Sequence, residues 1–108
     1  MTVEERFEQL VDEFVGVEGV GPPTGRRGFG SSALTYRGKI FAMVVRGRLV
    51  VKLSAGRVSE LVSGGDGVRF DANKGTPMKE WFALDESSGL SWSELSREAL
   101  AYASSAAR

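Results

Sequence analysis

Between Gly21 and Val58 the chain carries eight basic residues, Arg26, Arg27, Arg37, Lys39, Arg46, Arg48, Lys52 and Arg57, and no acidic one. The chemistry open to such a stretch is anion binding, with guanidinium and ammonium groups gripping phosphate oxygens through charge-assisted hydrogen bonds. The flanks are acidic. Residues 1–20 hold six acids (Glu4, Glu5, Glu8, Asp12, Glu13 and Glu18) against Arg6 alone, and the chain from Ser59 onward holds eight acids against five bases. Formal net charge is therefore zero, which argues against strong nucleic-acid binding and offers the bases a second use, as solvated turn residues or partners of the acidic flank.

Catalytic chemistry is much less well supplied. The chain has no cysteine and no histidine, which removes thiol nucleophiles, imidazole bases, disulfides and the usual zinc ligand sets. Its serines thus lack an imidazole partner. The carboxylates Asp66, Asp71, Glu80, Asp85 and Glu86 fall on loops and one strand, with no spacing that demands a metal or an acid and base pair; a solvated surface is their expected place. Gly28-Phe29-Gly30-Ser31-Ser32-Ala33 matches the string of a dinucleotide fingerprint, but a loop precedes it and a strand follows, the reverse of the strand and helix that aim amides at a pyrophosphate. Lys74-Gly75-Thr76 lacks the upstream glycine of a phosphate-binding loop. No enzyme activity, cofactor or metal is expected.

The elements that position the bases are legible in the hydrophobic pattern. Residues 29–53 contain three apolar runs separated by Arg37-Gly38 and Arg46-Gly47, which predicts an antiparallel meander with strands over 31–36, 39–45 and 48–53 and two-residue corners. Arg37, Lys39, Arg46 and Arg48 then sit at the corners, where long cationic chains can reach phosphates as wing residues do, with Arg26 and Arg27 on the loop before them. Arg37 and Arg46 fall at opposite ends of the middle strand, so one continuous patch does not follow. That strand is apolar on both sides, and alternation places Phe41, Met43 and Val45, with Val50 and Trp81, on a second apolar face. Either helices and loops cover this face or another subunit does.

Around the meander, Thr2 and Glu5 form a capping box for a first helix whose stripe is Val3, Phe7, Leu10, Val11, Phe14 and Val15, ending near Gly16. The Gly- and Pro-rich stretch over 16–28 reads as a loop. Ser54 caps a short second helix stopped by Gly64-Gly65. A brief strand over 68–70 and a fifth over 78–84 follow, and Ser91 with Glu94 opens a third helix striped by Trp92, Leu95, Ala99, Tyr102, Ala103 and Ala106. At 108 residues with 42% apolar and 26% charged content, this is one soluble domain, able to bury roughly 60–70% of its unfolded surface. The acidic start carries no secretory pattern, and the longest apolar run, Ile40–Val45, is too short to span a bilayer. A cytoplasmic protein without membrane contact is the expectation.

The element order is α-β-β-β-α-β-β-α, and particular residues accompany it: Phe29-Gly30, Gly38-Lys39-Ile40-Phe41-Ala42-Met43, Gly47-Arg48-Leu49, Lys52-Leu53, and Lys74-Gly75-Thr76-Pro77-Met78 ahead of Trp81. In these the chain resembles the N-terminal domain of the TfoX/Sxy family over nearly its whole length, with the YjbR (MmcQ) family the nearest similar plan. The resemblance implies a two-layer α+β domain with a five-stranded antiparallel sheet, like that of type III secretion chaperones. It also implies a regulatory role, since founding members are competence regulators acting on transcription. Longer members add a C-terminal helical domain, which is expected to be missing here, and the family supplies no catalytic residues. The functional expectation is a non-enzymatic protein-interaction module, acting as a homodimer; the alternative is a nucleic-acid-binding module using the basic corners.

Overall fold

A backbone detail at each corner of the meander explains its closure. In the computed structural model, which describes residues 3–14, 16–21, 33–70 and 79–106, Arg37 and Arg46 have φ of 51° and 52°, and the glycines after them 86° and 78°. Two successive positive φ values are the signature of the type I′ turn, whose twist matches that of the strands it joins. Glycine takes the second position without steric cost, while arginine at the first accepts an uncommon conformation for a residue with a Cβ.

Among the described residues, six strands and three helices result: α1 (Val3–Phe14), β1 (Val20–Gly21), β2 (Ala33–Tyr36), β3 (Lys39–Val45), β4 (Arg48–Lys52), α2 (Ala55–Ser63), β5 (Gly67–Arg69), β6 (Trp81–Leu84) and α3 (Trp92–Ala106). The five strands expected from the sequence are present in the expected α+β order, and their sheet is antiparallel throughout, in the order β1-β2-β3-β4-β6-β5. The sixth, β1, lies inside the stretch read as a loop. Its two residues pair with Tyr36 and Thr35, and the Arg37 amide adds a bond to Gly19 O at 2.8 Å. Two residues, a valine and a glycine between Gly19 and Pro22, leave no hydrophobic period to detect.

All three helices feed one core. Phe7, Leu10 and Phe14 of α1, Val58 and Leu61 of α2, and Trp92, Leu95 and Ala99 of α3 cluster with Leu34, Ala42, Leu49, Val51, Phe82 and Leu84 of the sheet. One residue enters this core against the expectation of strict alternation. Leu34 pairs with Ala42 but Thr35 pairs with Ile40, so Phe41 is an extra residue on β3. A bulge of this kind turns two successive side chains toward the same side. Phe41 and Ala42 are accordingly both 0% exposed and both in the core cluster, and the Phe41 ring meets Phe14 edge-on, 6.2 Å between centroids. Phe41 therefore leaves the second apolar face on which simple alternation puts it.

The caps read from sequence form at α2 and α3. Ser54 Oγ accepts from the Arg57 amide at 3.3 Å, and Ser91 Oγ from the Glu94 amide at 3.2 Å; Thr2, the predicted cap of α1, lies outside the described residues. α1 is tied to α3 by Glu13, whose Oε2 accepts from Ser93 Oγ and Arg97 Nη2, both at 2.6 Å. The Ser93 hydroxyl first, and Arg97 after it, hold the Glu13 carboxyl below the usual range. The predicted stripe of α3 omits Ser96, which is 0% exposed. Since a cap residue satisfies a helix-end amide that has no intrahelical partner, Ser91→Ala is expected to lower stability by about 1 kcal/mol in urea unfolding, and Ser91→Gly by only a few tenths; equal losses would remove the hydroxyl from the explanation.

Candidate functional site

Cross-strand pairing sorts the sheet into two faces. Leu34, Ala42, Val51 and Phe82 pair successively across β2, β3, β4 and β6, and all four belong to the core under the helices. One residue along, Ala33, Met43, Val50, Ala83 and Val68 pair in the same way across five strands. Directly paired residues share a face and neighbours along a strand alternate, so this second row lies on the opposite side. Ala33, Val50 and Ala83 are buried yet stand outside the core cluster. Val68, at the end of the row on the edge strand β5, is 51% exposed.

The row leads into a depression of about 410 Å³ at one end of the sheet. Val45, Val50, Val68 and Ala83 form its apolar part; Arg46, Arg48, Arg69 and Glu86 supply charge around it. Both signs are therefore present on one rim. Asp85 stands beside it, its carboxyl held below the ordinary range by the Ser87 hydroxyl, then by the Ser87 amide, with a smaller pull from Arg48.

A second depression, about 350 Å³, lies at the other end of β3 and β4. Arg37 from the first corner, Lys39 from β3 and Lys52 from β4 line it, with Tyr36, Ile40 and Tyr102 among its walls. Arg37 stacks over the Tyr36 ring, 5.5 Å from its centroid, and Lys52 Nζ lies 6.0 Å from that of Trp81. The Tyr102 hydroxyl donates to Glu80 Oε1 at 3.1 Å; burial, and then this carboxylate, push the phenol up, so it stays a neutral donor.

The predicted anion-binding residues thus separate. Arg37 and Lys39 occupy one end of β3, and Arg46 and Arg48 the other, about 20 Å away at the usual rise per residue. Arg26 and Arg27 lie outside the described residues, as do the glycine-rich string up to Ser32 and Lys74-Gly75-Thr76. Of the residues proposed for self-association, Met43, Val45 and Val50 fall on the face away from the core, and Trp81 pairs with Lys52 at its far end, whereas Phe41 does not join them.

Lys52, Arg69, Val68, Tyr36 and Tyr102 escaped the sequence reading as site residues. Lys52 had a usable signal: the two-residue corner that pairs Val45 with Arg48 carries Lys52 back along β4 toward Lys39. Arg69 had none, because β6 rather than β5 pairs with β4, and only this non-sequential strand order places β5 in the sheet with Arg46 and Arg48. Among the described residues, no group of three acidic, histidine or cysteine side chains is placed to hold a metal, and no helix is long and apolar enough to cross a membrane. No family model, curated protein or solved structure matches the chain.

Proposed function

We propose that this chain is a non-enzymatic interaction domain of the TfoX N-terminal type, pairing with a second copy of itself through the sheet face opposite the helices and serving in regulation. The observation that carries this reading is Val68, exposed on the edge strand β5 beside a charged rim, at the end of an apolar row in which Met43 is half-buried and Val50 and Ala83 are already buried within the chain. A second copy is the favoured occupant because the rim holds Arg46, Arg48 and Arg69 together with Glu86 and Asp85. Across a two-fold axis such a rim sets arginine against carboxylate, so one surface complements itself. An apolar centre with a polar border is also the ordinary anatomy of a protein interface.

The nucleic-acid alternative draws on the same arginines, but its corner cations fall into two groups at opposite ends of a strand. Light scattering across the micromolar range separates these readings. The expected result is twice the monomer mass for the natural chain, reverting toward the monomer in Val68→Glu, a substitution at an exposed position that leaves the core intact. A strict monomer at millimolar concentration, or a dimer indifferent to Val68→Glu, would reject pairing through this face.

A further inference from the structure

We infer that the depression between Tyr36, Arg37, Lys39, Lys52 and Tyr102 is a recognition site for the phosphate of a small ligand. The inference does not depend on dimer formation, since the site lies at the far end of β3 and β4 from the charged rim.

The first ground is that three cations from three separate elements converge on one concavity, and among the described residues no carboxylate pairs with any of them. This contrasts with other bases of the chain. Arg57 binds Glu98 at 2.7 Å and Glu60 at 3.3 Å, and Arg97 binds Glu13 at 2.6 Å. In a chain of balanced charge, acids are spent elsewhere while like charges are gathered here. Gathered cations repel one another, and an anion among them relieves that repulsion.

The second ground is that two of the cations are braced. Arg37 over Tyr36 and Lys52 beside Trp81 lie against aromatic rings, which restricts long side chains that otherwise lose rotamer freedom on binding. Arg37 also leaves the backbone from a type I′ corner, so its starting direction is fixed by the hairpin.

Charge and size then specify the ligand. Arg37, Lys39 and Lys52 give three positive charges, and Glu80, which accepts from Tyr102 at the same end, returns one negative. The remainder of two matches the roughly −1.5 to −2 of a phosphate monoester near neutral pH. A space of about 350 Å³ lies at the small end of ligand pockets, and Tyr36, Ile40 and Tyr102 offer an organic body an apolar wall. A polymer instead needs a continuous cationic track, whereas along β4 the next cation, Arg48, stands four residues and about 13 Å from Lys52, with Val50 between them.

Calorimetric titration of the full chain tests the site with inorganic phosphate, adenosine 5′-monophosphate, adenosine and a short single-stranded oligonucleotide as probes. Saturable binding of the monophosphate is expected, with adenosine alone inert. Loss of one charge-assisted contact should weaken it about tenfold in Lys52→Gln. Lys39→Gln should weaken it in the same direction, and because Lys39 is exposed this variant keeps the fold. Arg48→Gln, in the remote cluster, should bind as the natural chain does. Tighter binding of the monophosphate than of inorganic phosphate identifies a phosphorylated small molecule as the ligand, and equal binding identifies free phosphate; both uphold the site. No saturable binding of either at millimolar concentration, equal effects of the Lys39 and Arg48 substitutions, or tighter binding of the oligonucleotide per phosphate would each overturn it.

Discussion

Phe41→Ala is expected to lower the stability of the domain by about 3–5 kcal/mol, the cost typical of truncating a core phenylalanine. The expectation rests on the bulge. Phe41 is 0% exposed and packs edge-on to Phe14, so its removal opens a cavity where α1 meets the centre of the sheet. That loss is a large fraction of the roughly 5–15 kcal/mol available to a small domain. Urea unfolding should show a much lower midpoint with the slope unchanged. Met43→Ala supplies the internal comparison: it removes a side chain of similar length two residues away, but from the half-buried opposite face. If Phe41 alternated regularly with Met43, the two losses would be alike. A Phe41→Ala loss no greater than that of Met43→Ala would therefore contradict the bulge, while Phe41→Leu, retaining much of the buried area, should lie between the natural chain and Phe41→Ala.

This one residue shows where the sequence was readable and where it was not. Local signals specified the corners, because Arg-Gly between apolar runs demands positive φ at the glycine. They specified the caps of α2 and α3 as well, since Ser54 and Ser91 each precede an apolar stripe. The bulge at Phe41 leaves no such mark: the extra residue sits inside an unbroken apolar run, and only the pairing of Leu34 with Ala42 and of Thr35 with Ile40 reveals it. β1 was invisible for a related reason, being defined by its partner strand rather than by its own composition. For the candidate sites, the basic block was plain, and so was its division between the ends of β3. The company each cation keeps was not. Lys52 joins Arg37 and Lys39 through two hairpin registers, Arg69 joins Arg46 and Arg48 through the placement of β6 between β4 and β5, and Tyr102 reaches Glu80 from the last helix. Each of these meetings is a product of tertiary pairing, to which a single-sequence pattern is blind.

Gly67→Ala is the second substitution expected to have a large effect, and it bears on the functional proposals as well as on the fold. A Cβ built at Gly67 would meet the Ala83 carbonyl oxygen at 2.1 Å and the Phe82 ring at 2.6 Å. The obstacle is backbone, and it belongs to β6, which pairs with β4 on its other side and cannot retreat. The strain should instead fall on β5, a three-residue edge strand that pairs with β6 on one side only. Overpacking of this kind costs about 1–3 kcal/mol, and an immovable neighbour favours the upper part of that range. Gly56→Ala serves as the control: no atom lies within 4 Å of its added Cβ, and in a helix alanine is favoured over glycine by about 1 kcal/mol. Hydrogen exchange should show lost protection for the Phe70 amide, which bonds Trp81 O at 2.9 Å across the β5 edge, while the amides of β3 and β4 stay protected. Because β5 carries Val68 and Arg69 into the rim, self-association should weaken in Gly67→Ala. The phosphate depression takes no residue from β5, so monophosphate binding should persist at temperatures where the variant remains folded. Loss of both together would mean that the two ends of the sheet do not act separately, and unchanged stability in Gly67→Ala would show that β5 is not seated against β6 as its pairing requires.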